Sequence, residues 1–191
     1  MISPAAFPEL PAEIVVDRGR RGDVTADLFA VVATDTTADS AAVLDVGRDA
    51  ELSEGDRVFA GRCAVGRVQR TGMLSSVLQL ITHPDYSHPA QLAHRTPQGL
   101  NFGAQGILTG SGAGTCTLHG IPDNATVSVG DDVFTPDLPG RPRLFFGKVI
   151  SAELRPGSTW NIVIRPHVDF AQLSRVEILR ARVNEKRLVD L

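Results

Sequence analysis

The chain has 191 residues, 42% apolar and 21% charged, and its 19 basic and 22 acidic side chains give a formal net charge of -3. This supplies core for one ordinary domain or two small barrels and too little charge for a disordered tail to dominate. It also excludes a basic field able to gather nucleic acid. Glycine and proline, 18 and 12 of them, punctuate the chain, and the Val, Ile, Leu and Thr runs between them have strand length rather than helix length. In chain order these runs predict strands at 13–16, 28–33, 42–46, 57–59, 65–69, 77–82, 106–108, 115–119, 132–135, 147–154, 160–165 and 176–179, with no comparable helix. Alternation as in Thr115-Cys116-Thr117-Leu118 and Thr126-Val127-Ser128-Val129 is what a strand with one buried face requires. The last stretch, 175–191, suits a strand followed by either a short helix or a frayed tail.

No apolar run approaches the roughly 20 residues of a membrane-spanning helix. The opening Met1-Ile2-Ser3-Pro4, with Pro8 and Pro11 close behind, lacks the basic and apolar regions of an export signal. Cys63 and Cys116 have neither CxxC spacing nor a zinc-ligand partner. Two buried free thiols are expected, and a Cys63–Cys116 bridge is the one intramolecular alternative.

The most informative feature is an internal duplication. Leu52-Ser53-Glu54-Gly55-Asp56-Arg57-Val58-Phe59 returns as Val127-Ser128-Val129-Gly130-Asp131-Asp132-Val133-Phe134, in one register. Downstream, Val65-Gly66-Arg67-Val68 is echoed by Phe146-Gly147-Lys148-Val149, and the strand ending His83-Pro84 by the one ending Arg165-Pro166. In the shared turn, Gly55 and Gly130 supply positive φ at no steric cost, and Asp56 and Asp131 bond nearby backbone N–H groups. Gly66 and Gly147 lie inside strand patterns, where glycine marks a bulge or a barrel corner. The expected fold is therefore all-β, with two small, related six-stranded-type β-barrels in tandem and few helices. The units are assigned to 10–84 and 85–180, with the closing strand at about 174–180 available to pair with the first unit and 181–191 as a tail.

These segments resemble the extracytoplasmic β region of the MreC family of bacterial rod shape-determining proteins. The first copy carries the run Leu44-Asp45-Val46-Gly47, the Gly55 turn, Val65-Gly66-Arg67-Val68 and Leu78-Gln79-Leu80-Ile81-Thr82-His83-Pro84. The second adds Gln105-Gly106-Ile107-Leu108-Thr109-Gly110 and a closing stretch from Pro166 through Asp169-Phe170 and Leu173 to Val176, similar to the family's Pro-x-x-Asp-Phe-x-x-Leu-x-x-Val strand. The likeness spans roughly 42–180. It departs from the family at Pro136-Asp137-Leu138-Pro139-Gly140-Arg141-Pro142-Arg143-Leu144-Phe145, a proline-rich loop in place of a glycine-rich one, and at the longer connection 17–41. The family's transmembrane helix and coiled coil do not occur in this sequence, so membrane anchoring and coiled-coil pairing are not carried over.

The resemblance implies a noncatalytic scaffold of the cell-elongation complex, which builds peptidoglycan and maintains rod shape. The scaffold would sit on the periplasmic or extracytoplasmic face of the inner membrane. It would self-associate as a dimer or filament and bind MreD, RodA and a class B penicillin-binding protein. No cofactor, metal or nucleic acid is implied. Leu138, Leu144, Phe145 and Phe146 are the candidate partner contacts, against the plainer reading that their loop folds back over its own barrel.

Sharper chemistries find only fragments of what they need in the residues. A chymotrypsin-like double-barrel serine hydrolase needs a nucleophile, a base and an orienting acid. Ser111 sits in a Gly-rich run, but no Gly-Asp-Ser-Gly stretch occurs and no histidine precedes His83. His83, His88 and His94, with Asp85, share one proline-containing connection whose spacing is loose for a metal. Gly110–Gly114 lacks the lysine and helix of a phosphate loop, and Arg21-Gly22-Asp23 reads as a turn. An adaptor barrel of a secretion or efflux assembly remains a second alternative, because its Val-Gly-Asp-x-Val turns look alike.

Overall fold

The computed structural model describes residues 24–35, 40–139, 141–154 and 159–181. The expected strand at 13–16, the Arg21-Gly22-Asp23 turn and the tail beyond residue 181 lie outside the described residues. Twelve strands and two single-turn 3-10 helices, Arg48–Ala50 and Phe170–Gln172, make up the described regular structure. The strands are β1 (Val24–Asp35), β2 (Ala41–Leu44), β3 (Arg57–Ala60), β4 (Cys63–Thr71), β5 (Ser76–Leu80), β6 (Ser87–Thr96), β7 (Gly99–Gly110), β8 (Cys116–His119), β9 (Asp132–Phe134), β10 (Phe145–Leu154), β11 (Trp160–Pro166) and β12 (Arg175–Ala181).

Hydrogen-bonded pairing closes two rings. The first runs β12-β1-β2-β5-β4-β3 and returns to β12; the second runs β6-β7-β8-β11-β10-β9 and returns to β6. A single parallel bridge, Phe145 to Cys63, joins them. The rings are the same path taken twice, since β3 and β9, β4 and β10, and β5 and β11 carry the duplicated sequence. The sixth strand of each copy is exchanged. β6 follows β5 in the chain but pairs with β7 and β9 of the second ring, and β12 follows β11 but pairs with β1 and β3 of the first.

The duplicated residues have matching geometry. Gly55 and Gly130 take φ of +91° and +96°, conformations open to glycine at no cost. Their N–H groups donate to Val68 O and Val149 O, both at 2.8 Å. The Asp56 and Asp131 carboxylates accept from the N–H of Ser53 and Ser128 at 2.9 and 2.8 Å. Gly66 and Gly147 are needed for a different reason: a Cβ there would lie 2.0 Å from the backbone oxygen of Gln79 and of Arg165, respectively. Both strands shift register just beyond these glycines, β4 between Val68 and Arg70 and β10 between Val149 and Ser151. The glycine and the bulge together let each strand bend round its barrel.

Period-two burial fills the interiors. In β11, Ile162 and Ile164 point inward, and in β12, Val176 and Ile178 do so, each fully buried. One continuous apolar cluster runs through both barrels, from Leu44, Val58 and Leu78 to Leu118, Phe146 and Ile162. Each such side chain contributes about 1.5–3 kcal/mol of burial. The second barrel also buries a charge. Asp132 is fully buried, with Lys148 Nζ donating to Oδ1 at 2.7 Å and Arg95 Nε lying 2.7 Å from Oδ2 outside hydrogen-bond alignment. These cations come from β10 and β6, so the acid is held by the strands on either side of its own.

Two expectations are corrected. Residues 83–94, read as a connection, largely form β6, because ring closure supplies partners that the sequence around Pro89 does not advertise. Thr126–Val129 alternates but forms no strand; its residues enter the 128–131 turn instead. Cys63 and Cys116 are both free and buried. The Cys116 thiol lies against Ile81 O at 3.3 Å, and burial pushes its pKa up to about 12.

Three outcomes follow. Gly147→Ala should lower stability by about 3 kcal/mol through steric conflict with Arg165 O, more than the roughly 1 kcal/mol for Gly130→Ala, which meets only φ strain; equal melting midpoints in urea would contradict the close approach. At pH 7, Asp56→Asn should melt at or above the parent temperature, since burial raises the pKa of this carboxyl and so disfavours its charge in the folded state, while Asp56→Ala loses the turn acceptor and about 1 kcal/mol. A maleimide should leave Cys116 unmodified in the native protein and label it in urea; rapid native labelling would contradict its burial.

Candidate partner-binding groove

The proline-rich loop between β9 and β10 is clamped at its neck. Thr135 N donates to Leu144 O at 2.8 Å, and Leu144 N donates to Thr135 Oγ1 at 2.8 Å. Of the four candidate contact residues, only Leu138 is at the surface, 40% exposed. Leu144, Phe145 and Phe146 are buried. Leu144 and Phe146 join the main core and Phe145 a satellite cluster with Cys63, Ala93 and Phe134. As candidate surface contacts Leu144 and Phe146 are corrected, because their side chains complete the barrel interior first, whereas Phe145, drawn into β10, keeps part of its ring on the groove beside the loop.

Beside that loop the two barrels leave a groove of about 320 Å³, lined by Arg62 from the β3–β4 turn, Leu100 and Phe102 from β7, Phe134 from β9, Phe145 from β10, and Asp137 and Arg143 from the loop. Its floor is aromatic. Phe134 packs on Phe145 with centroids 5.0 Å apart and meets Phe102 edge-on at 5.7 Å. The Arg143 guanidinium lies 3.8 Å over the face of Phe102 and 3.3 Å from the Asp137 carboxylate. Its Nε is buried without a hydrogen bond among the described residues, so the ring face and Asp137 fix its orientation. The β7 segment 100–105 pairs with β6 on one side, whereas its pairing with β8 begins only at Ile107. An apolar groove edged by cations and by a one-sided strand can seat an extended segment of another protein. Sequence reasoning missed Arg62, Leu100, Phe102 and Arg143, because they are ordinary residues that become a site only when the two rings meet.

The other candidates are engaged locally. Ser111 Oγ lies 2.9 Å from both Thr115 O and Thr115 Oγ1 and accepts from Ala113 N at 3.1 Å, holding the β7–β8 hairpin turn. The histidines are tied one at a time. His83 Nδ1 accepts from Asp85 N at 3.0 Å, His88 Nδ1 donates to Pro89 O at 2.7 Å, His94 Nδ1 pairs with Asp131 at 2.6 Å and His119 Nε2 meets Thr109 Oγ1 at 3.0 Å. Among the described residues no three His, Cys, Asp or Glu converge on a metal position, and no helix is long and apolar enough to cross a membrane.

Known structures share this architecture. MreC from Pseudomonas aeruginosa superposes with a TM-score of 0.69 at 17% identity, covering 82% of this chain and 99% of that one. The major periplasmic domain of the cell shape-determining filament MreC gives 0.67 at 17% identity, covering 85% and 99%. MreC in a complex with a penicillin-binding protein from Helicobacter pylori gives 0.58 at 16% identity, covering 83% and 99%. No curated protein matches the chain. Residues 31–180 match the family described as rod shape-determining protein MreC, barrel core. Two closed barrels, a repeated Gly-Asp turn and that match establish that this chain belongs to the MreC family.

Proposed function

We propose that the chain is a noncatalytic scaffold on the extracytoplasmic side of the inner membrane, and that it positions cell-wall synthesis proteins during elongation by binding and self-association. The partners are a class B penicillin-binding protein, with RodA and MreD in the same assembly, and further copies of this chain. The observation that carries this reading is the groove at the barrel junction, where an aromatic floor, an arginine on a phenylalanine face and a one-sided strand offer main-chain and side-chain contacts together. The Helicobacter pylori complex supports it by pairing a protein of the same fold with a penicillin-binding protein. Two interlocked closed barrels suit this work, because a rigid platform loses little entropy when a partner docks.

Binding to a soluble penicillin-binding protein ectodomain, measured by calorimetry, tests the groove. Leu100→Glu and Arg143→Ala should each weaken binding at least tenfold while the melting temperature stays within a few degrees of the parent. Parent-like affinity in both folded variants would exclude the groove as the contact, and absence of any binding by the parent would exclude this partner.

A further inference from the structure

A second cluster, separate from that groove, gathers three guanidiniums. In the β3–β4 ladder Arg57 stands directly opposite Arg67, a placement of like charges that costs stability. Arg67 is held in place. Its Nε donates to Gln79 Oε1 at 2.7 Å, its Nη2 reaches Asp85 O at 3.4 Å and its Cζ lies 5.6 Å from the Tyr86 ring centroid. Arg141, on the exposed β9–β10 loop of the other barrel, is within electrostatic reach of Arg57. No carboxylate forms an ion pair with any of the three among the described residues; Glu54 and Asp85 line the same depression as Arg67 without salt-bridge contact.

Beneath them lies Tyr86, 4% exposed, whose hydroxyl makes no hydrogen bond among the described residues and feels the charges of Arg57 and Arg67. His88 stacks on Tyr86 at 6.4 Å and 14° and packs on Phe146 at 5.9 Å. With its Nδ1–H given to Pro89 O, its Nε2 is a lone-pair acceptor in the neutral ring and becomes a donor to an anion once the ring is protonated. Burial first, and then Arg57, Arg67 and Arg141, hold its pKa below the usual range.

Three uncompensated guanidiniums and an unused hydroxyl over an aromatic base are a site for an anion. A tetrahedral dianion offers enough acceptor oxygens for all of these donors at once, whereas a carboxylate has two. We propose that Arg57, Arg67 and Arg141, with Tyr86 and His88, form a phosphate-binding site between the barrels, taking the phosphate of a soluble ester or of a lipid headgroup.

The probe is inorganic phosphate, added at matched ionic strength against chloride while the histidine C2–H resonances of the whole chain are titrated. Phosphate should raise the His88 midpoint by about half a unit or more, leave His119 unmoved and raise the melting temperature by about 3 °C at tenfold excess over its dissociation constant. Arg57→Gln and Arg141→Gln should each weaken phosphate at least tenfold, and Arg57→Gln should melt higher than the parent in chloride because a repulsion is gone. Arg141 is exposed, so its variant remains informative if Arg57→Gln folds poorly. Vesicles containing phosphatidylglycerol that sediment the parent but not Arg141→Gln would assign the phosphate to a headgroup; a response to free phosphate without vesicle binding would assign a soluble ester. An unmoved His88, an equal response to acetate, or phosphate binding retained in both variants would overturn the site.

Discussion

The structure depends on main-chain hydrogen bonding closed into rings by exchanged strands. An open six-stranded sheet would leave two rows of unpaired N–H and C=O groups. Here β12 shuts the first ring and β6 the second, and each arrives from the end of the opposite copy. The glycines follow from this demand. A ring of six short strands bends sharply, and the bend brings the β4 backbone against Gln79 O and the β10 backbone against Arg165 O so closely that neither position has room for a side chain. The buried Asp132 has the same logic, since Lys148 and Arg95 reach it from β10 and β6.

Much of this was legible because the duplication is written in residue types with a mechanical reason to persist. Gly55 and Gly130 carry positive φ, Asp56 and Asp131 cap the same turn, and Gly66 and Gly147 mark the same corner, so matching letters report matching geometry. What stayed hidden was β6. Ser87-His88-Pro89-Ala90-Gln91-Leu92-Ala93-His94-Arg95-Thr96 has neither β-branched residues before its last position nor clean alternation, and Pro89 argues against a central strand. It is a strand because β7 offers partners along nearly its whole length and β9 along its middle. Pro89 falls where the pairing is to β7 alone, β9 contributing only at Gln91–Ala93. The converse error, Thr126–Val129, has the right alternation and no neighbour to pair with.

The binding surfaces were the least legible, for a related reason. Apolar residues in a proline-rich loop look like contacts, but a small barrel has few large side chains and uses them internally, as Leu144 and Phe146 show. Leu100, Phe102, Arg62 and Arg143 are unremarkable in sequence, and they form one surface only because the Phe145–Cys63 bridge brings the second barrel against the β3–β4 turn of the first. Loop 136–143 serves both faces, with Arg143 over Phe102 on one side and Arg141 near Arg57 on the other.

The strand exchange also has a temporal side. The chain is synthesised from its N-terminus, yet the final rung of the first ring is β12, spanning Arg175–Ala181. When β1 to β5 have emerged, their ring still lacks its sixth member, and nearly a hundred further residues must appear before the gap can be filled. A nascent chain therefore holds an unfinished sheet throughout that interval, and the N-terminal barrel cannot mature ahead of its twin.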